Sequence, residues 1–397
     1  MSCSANQSRP IQTISRCDLG TVFVSFELSK RKWLLTLLSP GSDKMSKYTV
    51  VGGDWNTLIA LLMQAKAKAE ARIGQPVGIV AIHEAGLDGF SVHRMLERNG
   101  VESHVVDPAS IAVPRRKRRA KSDRIDGETL LRTLMAWKRG EPRVCSMVVP
   151  PSPEDEDRRR LSRERQTLIS ERVQHTNRIR GMLMAEGIAD YEPLRRDRRE
   201  RLDVLRTLDG RAVPPNLKAR IVREIERIEV LMRQIGEIEA ERDALLRTKQ
   251  KVSAEAVPGT CCENPAVMLI RLKGIGPEFA TVLWLEAFFR RFGNHRQLSA
   301  YVGLAPTPWK SGKIDREQGI SQAGNPRLRT IGIELAWMWL QHQPDSALSR
   351  WFRERVGAER GRIRRIGIVA LARKLLVALW RYVTQGVVPE GAVFKAA

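Results

Sequence analysis

The sequence lacks the cysteine and histidine patterns that hold together small secreted or zinc-containing proteins. Its 397 residues include five cysteines and six histidines. An odd number of cysteines without a C-x-x-C pair argues against a disulfide framework and against a structural zinc site. The histidines show no H-x-x-x-H spacing, so we interpret them as structural. We expect the thiols to be reduced and incidental to function.

Long apolar runs are also missing. The sequence contains no apolar stretch of about 18 residues, the minimum for a membrane-spanning helix. The first sixteen residues, MSCSANQSRPIQTISR, lack the apolar region of a signal peptide. These features predict a cytoplasmic protein with no membrane partner.

Negative charge is scarce compared with positive charge. The chain has 68 lysines and arginines against 45 aspartates and glutamates, which gives a formal net charge of +23. A basic excess of this size favours a polyanionic partner, because phosphate neutralisation releases condensed counterions. A solvated cationic surface and binding to anionic lipid are the alternatives.

Residues 21–140 have the pattern of an α/β unit. Short β-branched and aromatic runs at 21–28, 32–39 and 47–53 predict three consecutive strands, and a helix is predicted from the cap at Asp54 to Gly74. The full order is β-β-β-α-β-α-β, with a further helix after a basic loop. This order predicts a ribonuclease H-like (RuvC-like) fold, in which an antiparallel meander joins parallel strands in one mixed sheet.

The rest of the chain is predicted to be helical, so the fold class is α/β plus all-α. Pro214 and Pro215 separate two long charged helices, and the second carries an apolar 4-3-4-3 seam that predicts a coiled coil or a helical hairpin. We assign the seam to Ile221, Ile225, Ile228, Met232 and Ile235. The predicted domains are an N-terminal extension (1–20), a RuvC-like catalytic domain (21–150), a helical coiled-coil segment (151–255) and a mostly helical C-terminal domain (256–397).

A glycine pair opens the C-terminal domain. Gly274 and Gly276 lie between two apolar helical patterns in LKGIGPEFA, which resembles a helix-hairpin-helix turn. Such a turn offers backbone amides to a DNA phosphate. An ordinary turn between helices explains the same residues equally well.

Four acids are expected to meet at one end of the predicted sheet. Glu27 and Glu84 end the first and fourth strands, and Asp123 and Asp126 open the helix after the basic loop. Residues three positions apart share one helix face. Each acid alone is an ordinary cap or solvated charge, but four together predict a site for Mg²⁺ or Mn²⁺.

Basic residues directly precede the two aspartates. Six of the seven residues from 115 to 121 are cationic and are predicted to hold a nucleic-acid backbone against the acids. They are Arg115, Arg116, Lys117, Arg118, Arg119 and Lys121.

Motifs along nearly the whole chain resemble the DEDD-type transposases of insertion sequence family 110. They are FELSK, HEAGLDGF, KSDRIDGETLL, LKGIGPEFA, YVGLAPTPWKSG and GISQAGNPRLR, in this order. The resemblance implies that Glu27, Glu84, Asp123 and Asp126 form the catalytic and metal-binding tetrad. The first acid is ordinarily aspartate, so Glu27 departs from the family pattern by one methylene.

The resemblance also implies a nucleophilic serine, a guide RNA and an oligomer. The family serine falls on Ser311 in WKSG, where it would form a covalent phosphoserine link to DNA. Ser321 is the rival candidate. Lys310, Lys313, Arg327 and Arg329 could stabilise the charge on phosphorus. An element-encoded structured RNA would pair with donor and target DNA, and the enzyme would act as a dimer or tetramer at the bacterial nucleoid.

Two other functions remain open at this stage. A RuvC-type junction-resolving endonuclease needs only the four acids, but leaves the C-terminal domain unexplained. A catalytically decayed nucleic-acid-binding protein would account for Glu27 in place of aspartate.

Overall fold

The computed structural model describes residues 20–86, 90–111, 123–142, 144–255, 263–311, 314–321 and 324–395. The chain divides into two compact units, Met1–Pro151 and Ser152–Ala397. The first contains a sheet with helices on its faces. The second contains a long helical hairpin and a mostly helical C-terminal part.

The predicted order of elements in the first unit is confirmed. Its elements are β1 (Thr21–Leu28), β2 (Lys32–Leu38), β3 (Ser46–Val51), α1 (Trp55–Ile73), β4 (Gly78–Glu84), α2 (Ser91–Arg98), β5 (Glu102–Val106), a 3₁₀ turn (Pro108–Ser110), α3 (Asp123–Lys138) and β6 (Met147–Val148). The short β6 was not predicted. The predicted helix caps are also present, since the Asp54 side chain accepts a hydrogen bond from the Thr57 amide (3.1 Å) and Gly74 is left-handed.

Strands of the described residues form a mixed six-stranded sheet in the order β3-β2-β1-β4-β5-β6. Strands β1, β2 and β3 are antiparallel neighbours, whereas β1, β4 and β5 run parallel. The first and fourth strands, at whose ends Glu27 and Glu84 were expected to meet, are therefore neighbours. The prediction that a meander joins parallel strands in one sheet is confirmed.

The two faces of this sheet have separate cores because side chains alternate along each strand. On one face, Val22, Val24 and Phe26 of β1 pack with Leu58 and Leu62 of α1. The opposite face packs against α3 and includes Phe23, Val80, Ile82, Val106, Leu130, Leu131 and Leu134. Residues 25 and 27 share this second face with Phe23.

The second unit begins with an antiparallel helical hairpin. It consists of α4 (Pro153–Met184), the short α5 (Arg198–Val204) and α6 (Pro215–Glu255). Ion pairs join Arg165 to Glu239 and Arg178 to Glu224. A later residue of α4 thus pairs with an earlier residue of α6, which shows that the two helices are antiparallel. The two long helices separated near Pro214 are confirmed, while supercoiling of the pair stays a prediction.

The apolar seam of α6 was predicted correctly except at one position. Ile221, Ile225 and Ile228 are fully buried, but Met232 is 39% exposed and Leu231 is buried in its place. The prediction for Met232 was wrong because Leu231, three residues after Ile228, lies nearer to the buried face of the helix than Met232 does. The same face continues to Ile235.

One buried carboxylate connects the two helices of the hairpin. Glu224 accepts hydrogen bonds from Arg178 (3.0 Å) and Arg227 (2.8 Å), and it contacts His175 Nδ1 at 2.5 Å. Burial acts to raise the pKa of Glu224, but the hydrogen bonds from His175 and Arg178 outweigh burial and lower this pKa from its ordinary value. The carboxylate is therefore charged and paired at neutral pH.

The C-terminal part is mostly helical, as predicted. Its elements are α7 (Pro265–Ile270), α8 (Pro277–Val282), a π-helical segment (Leu283–Phe288), α9 (His295–Val302), β7 (Pro306–Ser311), β8 (Ile314–Ile320), α10 (Pro326–His342), α11 (Ala347–Val356) and α12 (Arg362–Gln385). The antiparallel ribbon of β7 and β8 was not predicted. Within the described ranges, no helix is long and apolar enough to span a lipid bilayer.

The buried Glu224 yields a test of the hairpin. We expect Glu224→Gln to destabilise the fold by about 1–3 kcal/mol, because the charge-assisted hydrogen bonds to Arg178 and Arg227 are lost, while these two half-exposed guanidinium groups stay hydrated. Thermal unfolding followed by circular dichroism measures the effect. Glu237→Gln is the matched control, since its pair with Arg233 lies at the surface. Equal melting temperatures for the two variants would contradict the structural role of Glu224.

Candidate active site

Glu27 and Glu84 occupy equivalent positions at the ends of neighbouring parallel strands. Strands β1 and β4 pair Phe26 with His83, so Glu27 and Glu84 come next in the same register. Because side chains alternate along a strand, both residues belong to the sheet face that packs against α3. Glu84 is exposed, and the Oε1 atom of Glu27 is buried. The strand pairing therefore brings these two predicted acids side by side.

The start of α3 lies directly against the same strands. Ser25 Oγ donates a hydrogen bond of 2.7 Å to the carbonyl oxygen of Gly127. A Cβ placed on Gly127 would lie 2.6 Å from Thr36 Oγ1 and 3.0 Å from Glu27 Oε1. Ser25 and Thr36 are cross-strand partners in β1 and β2, and both are fully buried. Small side chains on the sheet and a glycine on the helix thus permit this close approach.

Asp126 directly precedes Gly127, and Asp123 begins the same helix. The backbone of the predicted aspartate pair therefore lies in the helical turn that contacts β1. The side chains of both aspartates are outside the described residues. Among the side chains that are described, no group of three or more His, Cys, Asp or Glu could hold a metal ion. The four-acid metal site stays a prediction.

Sequence reasoning missed the residues that position α3. They are Ser25, Thr36 and Gly127, together with Lys47, whose Nζ donates to Glu128 Oε1 at 2.6 Å. The available signal was a small polar residue inside each of two apolar strands, TVFVSFEL and KWLLTLL. Buried polar residues in such strands require a partner, which the strand pattern alone did not identify.

Ser311 is the last residue of β7, at the end where the ribbon closes. It pairs with Ile314 of β8. Its side chain and that of Lys310 lie outside the described residues, as do Lys313 and the predicted basic residues Arg115, Arg116, Lys117, Arg118, Arg119 and Lys121. Ser321, the rival nucleophile, follows β8 and donates its backbone amide to Ala305 (2.9 Å).

The predicted glycine turn lies between α7 and α8. Gly274 has a φ of 89°, and a Cβ placed there would lie 2.8 Å from His342 Cβ. Side chains fix the turn through its carbonyls, since Gln343 donates to Lys273 and Lys395 donates to Ile275 (both 2.8 Å). Gly276 precedes α8 in an extended conformation. Phosphate binding by this turn stays a prediction.

Arg327 is part of a buried ion-pair network rather than an exposed cation. Its Nη2 donates to the Ser162 carbonyl (2.5 Å) and lies 3.6 Å from Glu278, and its Nη1 lies 3.7 Å from Glu286. Burial lowers the pKa of its guanidinium, and the neighbouring Glu286 and Glu278 oppose this effect. Arg329 is half-buried on α10. Whether either residue contacts DNA stays a prediction.

The centre of this network is Glu286, in the π-helical segment. Its side chain is almost fully buried and binds Arg163 through two hydrogen bonds of 2.7 and 3.0 Å. Asn325 Nδ2 donates to Glu286 Oε2 (3.4 Å), and Tyr301 Oη donates to the Glu286 carbonyl (3.0 Å). The network therefore joins α4, α9 and α10. Sequence reasoning missed it because nothing in WLEAFF marks Glu286 as charge-paired.

The motif AGNPRLR has a local structural role. Gly324 has a φ of 95°, and a Cβ placed on it would lie 2.2 Å from the Tyr301 carbonyl oxygen. The Asn325 side chain caps α10 by accepting hydrogen bonds from the amides of Arg327 (3.0 Å) and Leu328 (3.2 Å). Only glycine fits position 324 without displacing backbone.

Comparison with known proteins gives the family. Residues 266–350 match the model of the transposase IS116/IS110/IS902 family. The chain is 57% identical over 395 residues to y4rJ of Sinorhizobium fredii, named as a transposase, with 99% of both chains covered. Two more distant relatives are the transposase for insertion sequence element IS1111A of Coxiella burnetii and that for IS1328 of Yersinia enterocolitica. They are 28% and 26% identical, over 58% and 62% of this chain and 60% and 70% of theirs.

These matches define a DNA recombination enzyme of the transposase class. The chain belongs to the IS110 family of transposases, which confirms the resemblance drawn from its motifs. Membership of this family implies that the protein binds DNA.

The contact at Gly127 leads to a stability prediction. We expect Gly127→Ala to destabilise the fold by about 1–3 kcal/mol, the usual cost of overpacking, because the added methyl group meets Thr36 and Glu27. Gly236→Ala on α6 is the control, since no atom lies within 4 Å of its Cβ position. The control should stabilise by up to about 1 kcal/mol through helix propensity. Urea unfolding measures both, and a neutral or stabilising Gly127→Ala would contradict the close contact.

A second prediction concerns Arg327. We expect Arg327→Gln to destabilise the fold by about 3 kcal/mol, because Glu286 and Glu278 lose a buried partner. Arg160→Gln, at an exposed pair with Asp157, should change stability by less than about 0.5 kcal/mol. Chemical unfolding monitored by tryptophan fluorescence distinguishes the two. An Arg327 variant that matches the control in stability would show that the network contributes little.

Proposed function

We propose that this transposase cuts and rejoins DNA strands to move its insertion sequence, with an acidic site in the first unit and Ser311 as nucleophile. The observation that carries the first half is the position of Glu27 and Glu84 on adjacent strand ends, against the turn of α3 that follows Asp126. The strand order, with β1 between β2 and β4, supports a ribonuclease H-like fold for this unit. Both halves also rest on membership of the family.

The acids fit a divalent cation. Carboxylate oxygens are the ligands that magnesium prefers, and Oε1 of Glu27 is withdrawn from solvent at the strand end. Glu27, Glu84, Asp123 and Asp126 would hold Mg²⁺ or Mn²⁺. When bound, the cation would neutralise charge that develops on the phosphoryl oxygens.

Glutamate at position 27 is compatible with such a site. Its side chain is one methylene longer than aspartate, so its carboxylate reaches further toward α3. Gly127 provides space at that point, because any larger residue would place a Cβ 3.0 Å from Glu27 Oε1. The contact supports an active role for Glu27 and disfavours a decayed site.

Ser311 would carry out the covalent step. Its Oγ attacks a DNA phosphorus, a serine-phosphate bond forms, and one DNA ester bond breaks. The serine proton passes to a base, and the released DNA oxygen takes up a proton. A free DNA hydroxyl then attacks the phosphoserine and restores the serine, so no high-energy cofactor is needed. Lys310, Lys313 and Arg329 could stabilise the charge on phosphorus.

Sequence selection is proposed to come from an element-encoded structured RNA that pairs with donor and target DNA. The protein would act as a homo-oligomer in which different subunits supply the acidic site and the serine. Both statements rest on the family resemblance. The helical hairpin offers a long element through which subunits could associate.

Recombination between a donor and a target plasmid in cells tests the mechanism. We expect Ser311→Ala and Asp126→Ala each to reduce recombination by at least about 10³-fold, because each removes a group that acts on the reacting phosphate. Ser321→Ala should retain activity. Trapping the adduct on nicked DNA and mapping the modified peptide should identify residue 311. Undiminished recombination by the first two variants, or an adduct on Ser321, would reject the mechanism.

A further inference from the structure

The surface of α12 contains a basic groove that no part of the proposed mechanism uses. The groove has a volume of about 410 Å³. Its cationic edge consists of Arg373, Lys374 and Arg381 on α12. His295 at the start of α9 and apolar side chains including Leu348 of α11 line the remainder. Among the described residues that line it, none is a carboxylate.

All charged side chains of α12 are positive. Its sequence, RIRRIGIVALARKLLVALWRYVTQ, contains six cations and no acid. Within the described part of the chain, none of these six forms an ion pair with a carboxylate. The arginines of the hairpin and of the Glu286 network differ, because Arg163, Arg165, Arg178 and Arg327 are each matched to a glutamate. The cations of α12 are therefore available to an external anion.

Two cations of α12 lie over tryptophan rings. The Arg364 guanidinium lies 5.0 Å from the ring centre of Trp337 on α10, and Lys374 Nζ lies 4.7 Å from that of Trp351 on α11. Such contacts orient a cationic head while leaving its charge uncompensated. The side chains are thus partly ordered before an anion binds.

We propose that this groove binds the sugar-phosphate backbone of duplex DNA. Arg373 and Arg381 are eight residues apart on one helix face, a separation of about 12 Å at 1.5 Å per residue. Duplex DNA carries one phosphate charge per about 1.7 Å of its axis, counting both strands, so an edge of this length lies beside several phosphates. The apolar floor suits contact with sugars. This interface extends the proposed function and requires neither Ser311 nor the acidic site.

A matched pair of variants of the full-length protein tests the interface. Arg373→Gln/Lys374→Gln/Arg381→Gln removes three charges from the groove. Arg160→Gln/Arg211→Gln/Arg233→Gln removes three charges from exposed surface pairs of the same unit. Affinity for a labelled duplex is measured by fluorescence anisotropy between about 50 and 200 mM salt, because each phosphate contact adds about 0.9 to the slope of log affinity against log salt.

We expect the groove variant to lose about 2 to 3 from that slope and at least about tenfold in affinity near 100 mM salt. The control should bind within about twofold of the wild type, since exposed ion pairs contribute little and their loss is not local to the groove. Equal losses in both variants, or wild-type binding by the groove variant, would overturn the proposal. A loss confined to structured RNA, with duplex affinity unchanged, would also overturn it and assign the surface to RNA.

Hydrogen exchange on the wild-type protein covers the case in which the groove variant fails to fold. We expect duplex binding to slow exchange at the amides of residues 373–385 by at least about threefold. Binding that leaves exchange in α12 unchanged would reject the interface independently of any variant. Ser311→Ala should show the same protection, so a failure of the catalytic proposal would be distinguishable from a failure of this one.

Discussion

The close approach of α3 to strands β1 and β2 is the constraint on which the arrangement of the first unit depends. It exists because Ser25 and Thr36 are small, Gly127 has no side chain, and a hydrogen bond joins Ser25 to the Gly127 carbonyl. A larger residue at any of these positions would move the helix away from the sheet. The aspartate that precedes Gly127 would then move away from Glu27 as well. Packing and chemistry are therefore set by the same contact.

The positive charge of the chain has two distinct uses. In the hairpin and the Glu286 network, arginines are matched by buried or half-buried glutamates and connect neighbouring helices. On α12 the cations have no carboxylate partners among the described residues. A net charge of +23 does not separate these two groups. Only the pairing of individual side chains shows which cations are available for binding.

The sequence predicted the order and pairing of the strands well because alternation, caps and turn residues act locally. It predicted the two long helices and the apolar seam of the second for the same reason, apart from Met232, where two adjacent apolar residues compete for one buried position. It did not predict the ribbon of β7 and β8, whose strands include prolines and charged residues. The sequence also did not predict that Arg327 and Glu286 belong to one buried ion-pair network. Their environment depends on contacts between residues more than one hundred positions apart, such as Arg163 with Glu286.

The buried network has a consequence for the ribbon that carries Ser311. The ribbon of β7 and β8 lies between α9 and α10 in the chain. The residues that flank it on both sides form hydrogen bonds with Glu286. Tyr301 at the end of α9 donates to the Glu286 carbonyl, while Asn325 caps α10 and contacts the Glu286 carboxylate. Gly324 allows the Asn325 amide to donate to the Tyr301 carbonyl (2.7 Å), which closes the base of the ribbon. Gly324 and Asn325 of AGNPRLR thereby hold together the two ends of the ribbon that carries Ser311, so this part of the motif positions the ribbon.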